Sequence, residues 1–222
     1  MNCITSALYE ALPFYIASIP IIILNMYIIK KKREFLDIKY KITEKIFILG
    51  FILSLVFILS ITIGNNAGIQ LQDVRWKNIN IKPFSGMYVL YLSSVINGDI
   101  YSIINLFGNI LVFIPWGFFL AVYYKETKNE KSRILVITIL TSFLIETIQL
   151  FVGRYADITD IILNTIGVFL GRLIFCYLNI LFREFFNSIH LRYLNDNNKE
   201  VKVFNMVQGI SCLIFLVASI LR

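Results

Sequence analysis

Three stretches of this chain carry side chains able to do chemistry. Asn105 and Asn109 lie four residues apart. Glu146 and Gln149 lie three apart, with Ser142 four residues before Glu146, and Arg154, Asp157, Asp160 and Asn164 follow closely. On a helix, spacings of three and four put residues on one face. From Asp157 the spacing continues through Asp160, Asn164, Gly167 and Gly171, a narrow stripe of acid, amide and small side chains. Carboxylates so grouped act as general acid and base, with Glu146 in that role and Asp157 or Asp160 as partner. Asn105, Asn109, Gln149, Arg154 and Asn164 would then orient a polar head group or an anionic phosphate. Oxygen ligands also suit a hard divalent cation, so a metal held by Glu146, Asp157 and Asp160 is an alternative, though the spacing is not diagnostic. One histidine, His190, and three scattered cysteines (Cys3, Cys176 and Cys212) exclude a His-rich metal site, a CxxC redox pair and a cysteine zinc cluster. No cofactor is expected.

Each residue also has a structural reading. Asn105 can cap a helix or bond a neighbour. Asp157 and Asp160 can sit at the positive end of a helix dipole. Glu146 can pair with Arg154 folded back over the helix end, and Arg172 can snorkel or pair with a neighbour. Gly167 and Gly171 make a G-x-x-x-G, which permits close helix contact but is common.

The elements that must position these residues are membrane helices. The 222 residues are 58% hydrophobic and only 16% charged, whereas soluble domains run nearer 45–50% and about 25%. Spans of about 20 apolar residues cross a bilayer. Such runs fall at 11–29, 46–63, 103–124, 134–152 and 161–182, with a sixth at 203–221 that carries Asn205 and Gln208. A run at 87–96 is too short to cross and reads as an interfacial or re-entrant helix. The expected fold is therefore all-α: a polytopic membrane protein of about six spans, forming a single membrane domain over 1–222. The first run lacks a basic n-region, unlike a cleavable signal peptide.

Charge orients the spans. The loops at 30–45, 125–133 and 183–202 share one side and hold fifteen basic residues, against five on the other side. The excess marks the cytoplasm, so both termini are expected outside the cell membrane. The net charge of +7 is thus a topology signal rather than a nucleic-acid footprint. With that orientation, Asn105, Asn109, Glu146, Gln149, Asp157, Asp160 and Asn164 all lie near the outer ends of three successive spans.

Four pieces of the chain, in order, resemble the VanZ-like family: Asn80-Ile-Lys-Pro83-Phe84; Asn105-Leu-Phe-Gly108-Asn109 continuing to Phe113-Ile-Pro115-Trp-Gly117; Ser142-Phe-Leu-Ile-Glu146-Thr-Ile-Gln149; and Arg154-Tyr-Ala-Asp157-Ile-Thr-Asp160-Ile-Ile-Leu-Asn164-Thr-Ile-Gly167. The likeness covers 80–175. It implies an integral protein of a Gram-positive cell envelope, linked to reduced susceptibility to teicoplanin-type lipoglycopeptide antibiotics, and it implies no agreed mechanism. Arg172 is not part of that pattern.

Two functions follow. One is a non-catalytic membrane protein that alters antibiotic access at the surface. The other is a hydrolase or transferase acting on a lipid-linked or cell-wall substrate through Glu146. The expected partners are the lipid bilayer and a lipid-linked cell-wall precursor or lipoglycopeptide. A transporter is disfavoured, because the polar groups cluster at one depth and leave no pathway.

Overall fold

The computed structural model describes residues 41–63, 78–85, 100–151 and 153–189. It also describes helical positions at 15–16, 19–20, 22–24, 26–27, 30–31, 92, 96, and only the backbone over 100–106. Four helices among the described residues are long and apolar enough to cross a bilayer: Ile42–Thr62, Phe107–Tyr124, Glu130–Phe151 and Ile158–Leu181. They coincide with the second to fifth runs of the sequence. The sixth run and most of the first and of 87–96 lie outside the described residues. The chain divides into two compact units, one of residues 1–69 and 187–222 and one of residues 70–186.

In the first unit, α1 (Ile42–Ile63) begins with a capping contact. The Lys41 backbone N–H donates to the Glu44 carboxylate at 3.2 Å, satisfying a donor that helix geometry leaves without a partner. Lys41 Nζ donates to the Ser188 carbonyl at 3.1 Å. The hydroxyls of Ser54, Ser60 and Thr62 donate to carbonyls three or four residues earlier in their own helix. An apolar span can carry them because no polar hydrogen is left bare.

In the second unit, β1 (Ile79–Asn80) precedes α2 (Ile100–Tyr124), α3 (Glu130–Phe151), β2 (Ala156–Asp157) and α4 (Ile158–Leu181), and α5 (Arg183–Asn187) begins there. The helix assignment runs unbroken through Pro115. Neither all-α expectation nor hydropathy anticipated β1 and β2, which pair in parallel with Ile79 opposite Ala156 and Asn80 opposite Asp157. Two residues per strand carry no periodicity to read, so pairing of this kind is legible only in three dimensions. The start of α3 is also earlier than expected, at Glu130 rather than 134. Lys131 and Arg133 therefore extend its first turn.

Small residues bring α2 and α4 into backbone contact. A Cβ on Gly117 would stand 2.1 Å from the Val168 carbonyl oxygen. One on Gly167 would stand 2.3 Å from that of Ile110, and one on Gly171 2.0 Å from that of Ile114. Glycine alone permits such an approach. Residues 167 and 171 meet 110 and 114 in the same order, so α2 and α4 run parallel. The stripe at 157–171 is thus a seam, with Phe113 and Val168 fully buried beside it.

The α3 helix runs antiparallel to α4, with Glu130 meeting Arg172, Ser142 meeting Asn164, and Glu146 meeting the Asp157 backbone. Arg172 is paired rather than snorkelling: its Nε and Nη2 donate to the two Glu130 carboxylate oxygens at 2.9 and 3.0 Å. A fork-to-fork pair of this geometry fixes both distance and orientation. Nearby, Phe118, Phe175 and Phe186 meet edge to face at centroid distances of 5.4 to 6.4 Å. Lys125, just beyond α2, donates to the Phe186 carbonyl. Burial pulls its ammonium below the usual lysine range, an effect opposed by Glu126 at 3.8 Å.

Candidate functional site

The end of α3 turns sharply. Gly153 adopts φ 77°, its N–H donates to the Leu150 carbonyl at 3.2 Å, and the Arg154 N–H donates to the Gln149 carbonyl at 2.8 Å. This is a Schellman termination, which favours glycine at the left-handed position. It returns the chain at once toward the helix it has just left. Only Arg154 and Tyr155 separate the turn from β2, so Glu146 on α3 and Asp157 at the head of α4 meet. The Asp157 N–H donates to Glu146 Oε2 at 3.0 Å.

Asp157 is the N-cap of α4. Its Oδ1 accepts from the Thr159 N–H at 2.7 Å, satisfying a donor of the first helical turn. Its Oδ2 accepts from Asn80 Nδ2 at 2.8 Å. Asn80 also exchanges hydrogen bonds with the Ser85 hydroxyl at 2.9 and 3.1 Å, and its Oδ1 accepts from the Lys82 N–H at 3.2 Å. The Phe84 N–H donates to Thr159 Oγ1 at 3.1 Å. Phe84 sits at φ 61°, a conformation uncommon for a bulky residue. The 78–85 segment is therefore a strap, tied to the head of α4 by a two-residue strand pair and two side-chain bonds.

On the same side of the unit, Asn109 Nδ2 from α2 donates to Asp160 Oδ1 at 2.6 Å. Further along α4, Asn164 Nδ2 donates to the Ser142 hydroxyl at 2.9 Å. Glu146, Gln149, Asn164, Ser142 and Thr159 are all buried. Arg154 is near enough to act electrostatically on both Glu146 and Asp160.

The sequence-predicted residues therefore meet in large part. Glu146, Asp157, Asp160, Asn109 and Asn164 share one end of the α2–α3–α4 arrangement, with Arg154 beside them and Gln149 one turn from Glu146. Asn105 lies in the first turns of α2, where its side chain is outside the described residues. Glu146 accepts from the Asp157 backbone N–H, and Arg154, weighed from sequence as its partner, also acts on it electrostatically. Sequence reasoning did not assign a role to Asn80, Ser85 or Thr159. Asn80 stood within the first family-like stretch, which was the available signal, but nothing in its spacing pointed to a residue 77 positions away.

Hydrogen bonding separates the three carboxylates. Asp157 has both oxygens engaged in holding the strap and the helix start. Glu146 and Asp160 each have one oxygen bonded, by the Asp157 N–H and by Asn109. Among the described residues, Glu146 Oε1 and Asp160 Oδ2 accept no hydrogen bond. Also among the described residues, no group of three or more His, Cys, Asp or Glu is arranged to hold a metal ion. The residues present thus offer open carboxylate oxygens within electrostatic reach of the Arg154 guanidinium.

Protein VanZ from Enterococcus faecium is 32% identical over 96 residues, covering 43% of this chain and 50% of that protein. The chain therefore spans about half the length of the curated relative it matches. No solved structure matches it. The VanZ/LLP1 family model covers residues 45–183, from α1 through the whole α2–α3–α4 arrangement and its polar end. A match over that much of the sequence makes this multi-pass chain a member of the VanZ/LLP1 family.

Proposed function

We propose that this protein lowers susceptibility to teicoplanin-type lipoglycopeptides by binding a polar ligand at the outer surface of a Gram-positive membrane. In this reading the chain has six spans, the 87–96 segment lies in or re-enters the interface, and both termini are extracytoplasmic. One observation carries the proposal: α2, α3, α4 and the strap deliver polar groups to one end of an otherwise apolar arrangement, and two carboxylates there keep an oxygen open. Ionisable groups at such depth are expensive and mark function more often than packing. Glu146 and Asp160 contact the ligand, Asn109, Gln149 and Asn164 position it, and Asp157 holds the scaffold. The fifteen-to-five distribution of basic charge supports the outward orientation.

The test is expression of wild type and Glu146→Gln at matched membrane levels in a teicoplanin-susceptible host. Glutamine can still accept from the Asp157 N–H, so the fold is kept while the charge is lost. Wild type should raise the inhibitory concentration of teicoplanin and the variant should not. Equal protection by both would refute the role given to this end of the molecule. Orientation is read separately at Tyr155, which is 70% exposed beside the site. Tyr155→Cys, in a background lacking the native cysteines, should react with an impermeant thiol reagent from outside the cell.

A second reading, a hydrolase or transferase acting on a lipid-linked cell-wall substrate, is favoured by the open Glu146 Oε1 next to Asp160 and Arg154. That is an arrangement suited to proton transfer. A new lipid-linked product in cells expressing wild type, and absent with Glu146→Gln, would establish it over simple binding.

A further inference from the structure

The strap contains a turn that one of its residues does not suit. The Ser85 N–H donates to the Lys82 carbonyl at 3.3 Å, closing a four-residue turn with Pro83 and Phe84 at its centre. Proline supplies the negative φ of the first central position, and Phe84, at φ 61°, takes the second. This is the pattern of a type II turn, whose second central position favours glycine or asparagine. A bulky residue persists in the left-handed region only where its surroundings hold it there. Thr159 Oγ1 does so, accepting from the Phe84 N–H at 3.1 Å. Protein packing does not explain the side chain, because Phe84 is 48% exposed and Ile81, beside the turn, is 74% exposed.

The depth of the strap gives the exposed pair a use. With 24 residues, α4 is about 36 Å long, and the hydrocarbon core of a bilayer is about 30 Å thick. The first turn of α4 therefore reaches the head-group boundary. The strap lies at that level, since it pairs with Ala156 and Asp157 and is bonded to Thr159. Phe151 and Ile158, exposed at the adjoining ends of α3 and α4, carry the apolar surface of the spans up to it.

Charge fits the same surroundings. Lys82 is exposed between Ile81 and Phe84. A lysine so placed lays its stem along lipid and keeps its ammonium among the phosphates. Apolar side chains with a flanking cation are what hold interfacial segments to a bilayer. We propose that this turn is a membrane-interface anchor, in which Ile81 and Phe84 insert at the boundary of head groups and acyl chains while Lys82 meets lipid phosphate. The anchor steadies Asn80 against Asp157 and so holds the head of α4 at a fixed depth. It requires no ligand at the polar end and holds for either orientation of the chain.

Spin labels test the depth. Ile81→Cys and Phe84→Cys, each in the full chain without its native cysteines, are labelled and placed in nanodiscs of phosphatidylcholine and phosphatidylglycerol. Reference labels replace Phe143, exposed along α3, and Lys128, exposed in the loop before it. Relaxation is measured with oxygen, which partitions into lipid, and with a nickel chelate, which stays in water. The oxygen-to-chelate ratio at both strap positions should be several times that at Lys128 and below that at Phe143. Ratios equal to that at Lys128 would place the turn in water and overturn the proposal. Protection from both reagents would reveal a contact with protein, a second copy included, and overturn it equally. Phe84→Gly suits the turn, so the unfolding midpoint in micelles should hold or rise while the Ile81 label moves toward the aqueous ratio. Lys82→Glu, which sets a carboxylate among phosphates, should move that label the same way. A label unmoved by both changes would overturn the anchor.

Discussion

Gly171→Ala should force α2 away from α4 and disturb the polar end of the unit, although residue 171 lies about 16 Å along the helix from Asp160. The new Cβ would stand 2.0 Å from the Ile114 carbonyl oxygen and 2.7 Å from the Phe118 nitrogen. Ordinary contact begins at 3.4 Å, so the interface must open by roughly 1.4 Å. Both obstructing atoms are backbone, and no rotamer change can relieve them. Overpacking of this kind costs about 1–3 kcal/mol. If the whole displacement reaches the far end, the 2.6 Å bond from Asn109 to Asp160 stretches to about 4 Å and is lost. Gly108→Ala is the matched control, because a Cβ there meets nothing within 4 Å. Alanine's helix preference, about 0.5–1 kcal/mol, should leave that variant neutral or slightly stabilised. Reversible unfolding in mixed micelles measures both, and teicoplanin susceptibility at matched expression reads the consequence for the site. A Gly171→Ala protein as stable and as protective as Gly108→Ala would refute the close backbone seam.

Other substitutions divide scaffold from site. Asp157→Ala removes the N-cap and the Asn80 anchor together and should cost about 0.5–2 kcal/mol of stability. Asp157→Asn, which can still cap, should retain protection where Asp160→Asn loses it. Arg172→Gln leaves Glu130 without its bidentate partner, so the single change should destabilise more than Glu130→Gln and Arg172→Gln combined. A double-mutant cycle in micelle unfolding should return a coupling of about 0.5–3 kcal/mol, and additive effects would show that the pair does not hold the α3–α4 register.

Much of this architecture was legible in the linear chain because a bilayer imposes simple demands. Backbone groups must be satisfied within each span, so long apolar runs become helices, and α1 to α4 appear where hydropathy places them. The same cost of burying polar atoms singled out Glu146, Asp160, Asn109 and Asn164. Their spacing of three and four residues announced one face, and the four do gather at one end of the unit. Arg172 also yielded part of its story, since a cation in a span needs a partner, but nothing in its neighbourhood named Glu130, 42 residues earlier.

Which polar group bonds which was decided by tertiary structure alone. Asp157, Asp160 and Glu146 are similar acids in a string of letters, and sequence, which gave Glu146 the acid–base role, left Asp157 and Asp160 interchangeable as its partner. Only the folded chain shows Asp157 with both oxygens engaged by Thr159 and Asn80, while Glu146 and Asp160 each keep one open. The strap at 78–85 was similarly invisible, because a two-residue strand has no period and its bonds cross long stretches of chain. The glycine stripe could be noticed but not interpreted until Ile110, Ile114 and Val168 were seen against it. Periodicity and burial cost are local properties that a sequence displays directly. Hydrogen-bond partnership depends on where distant backbone turns, and here the turn at Gly153 and the seam between α2 and α4 settle it.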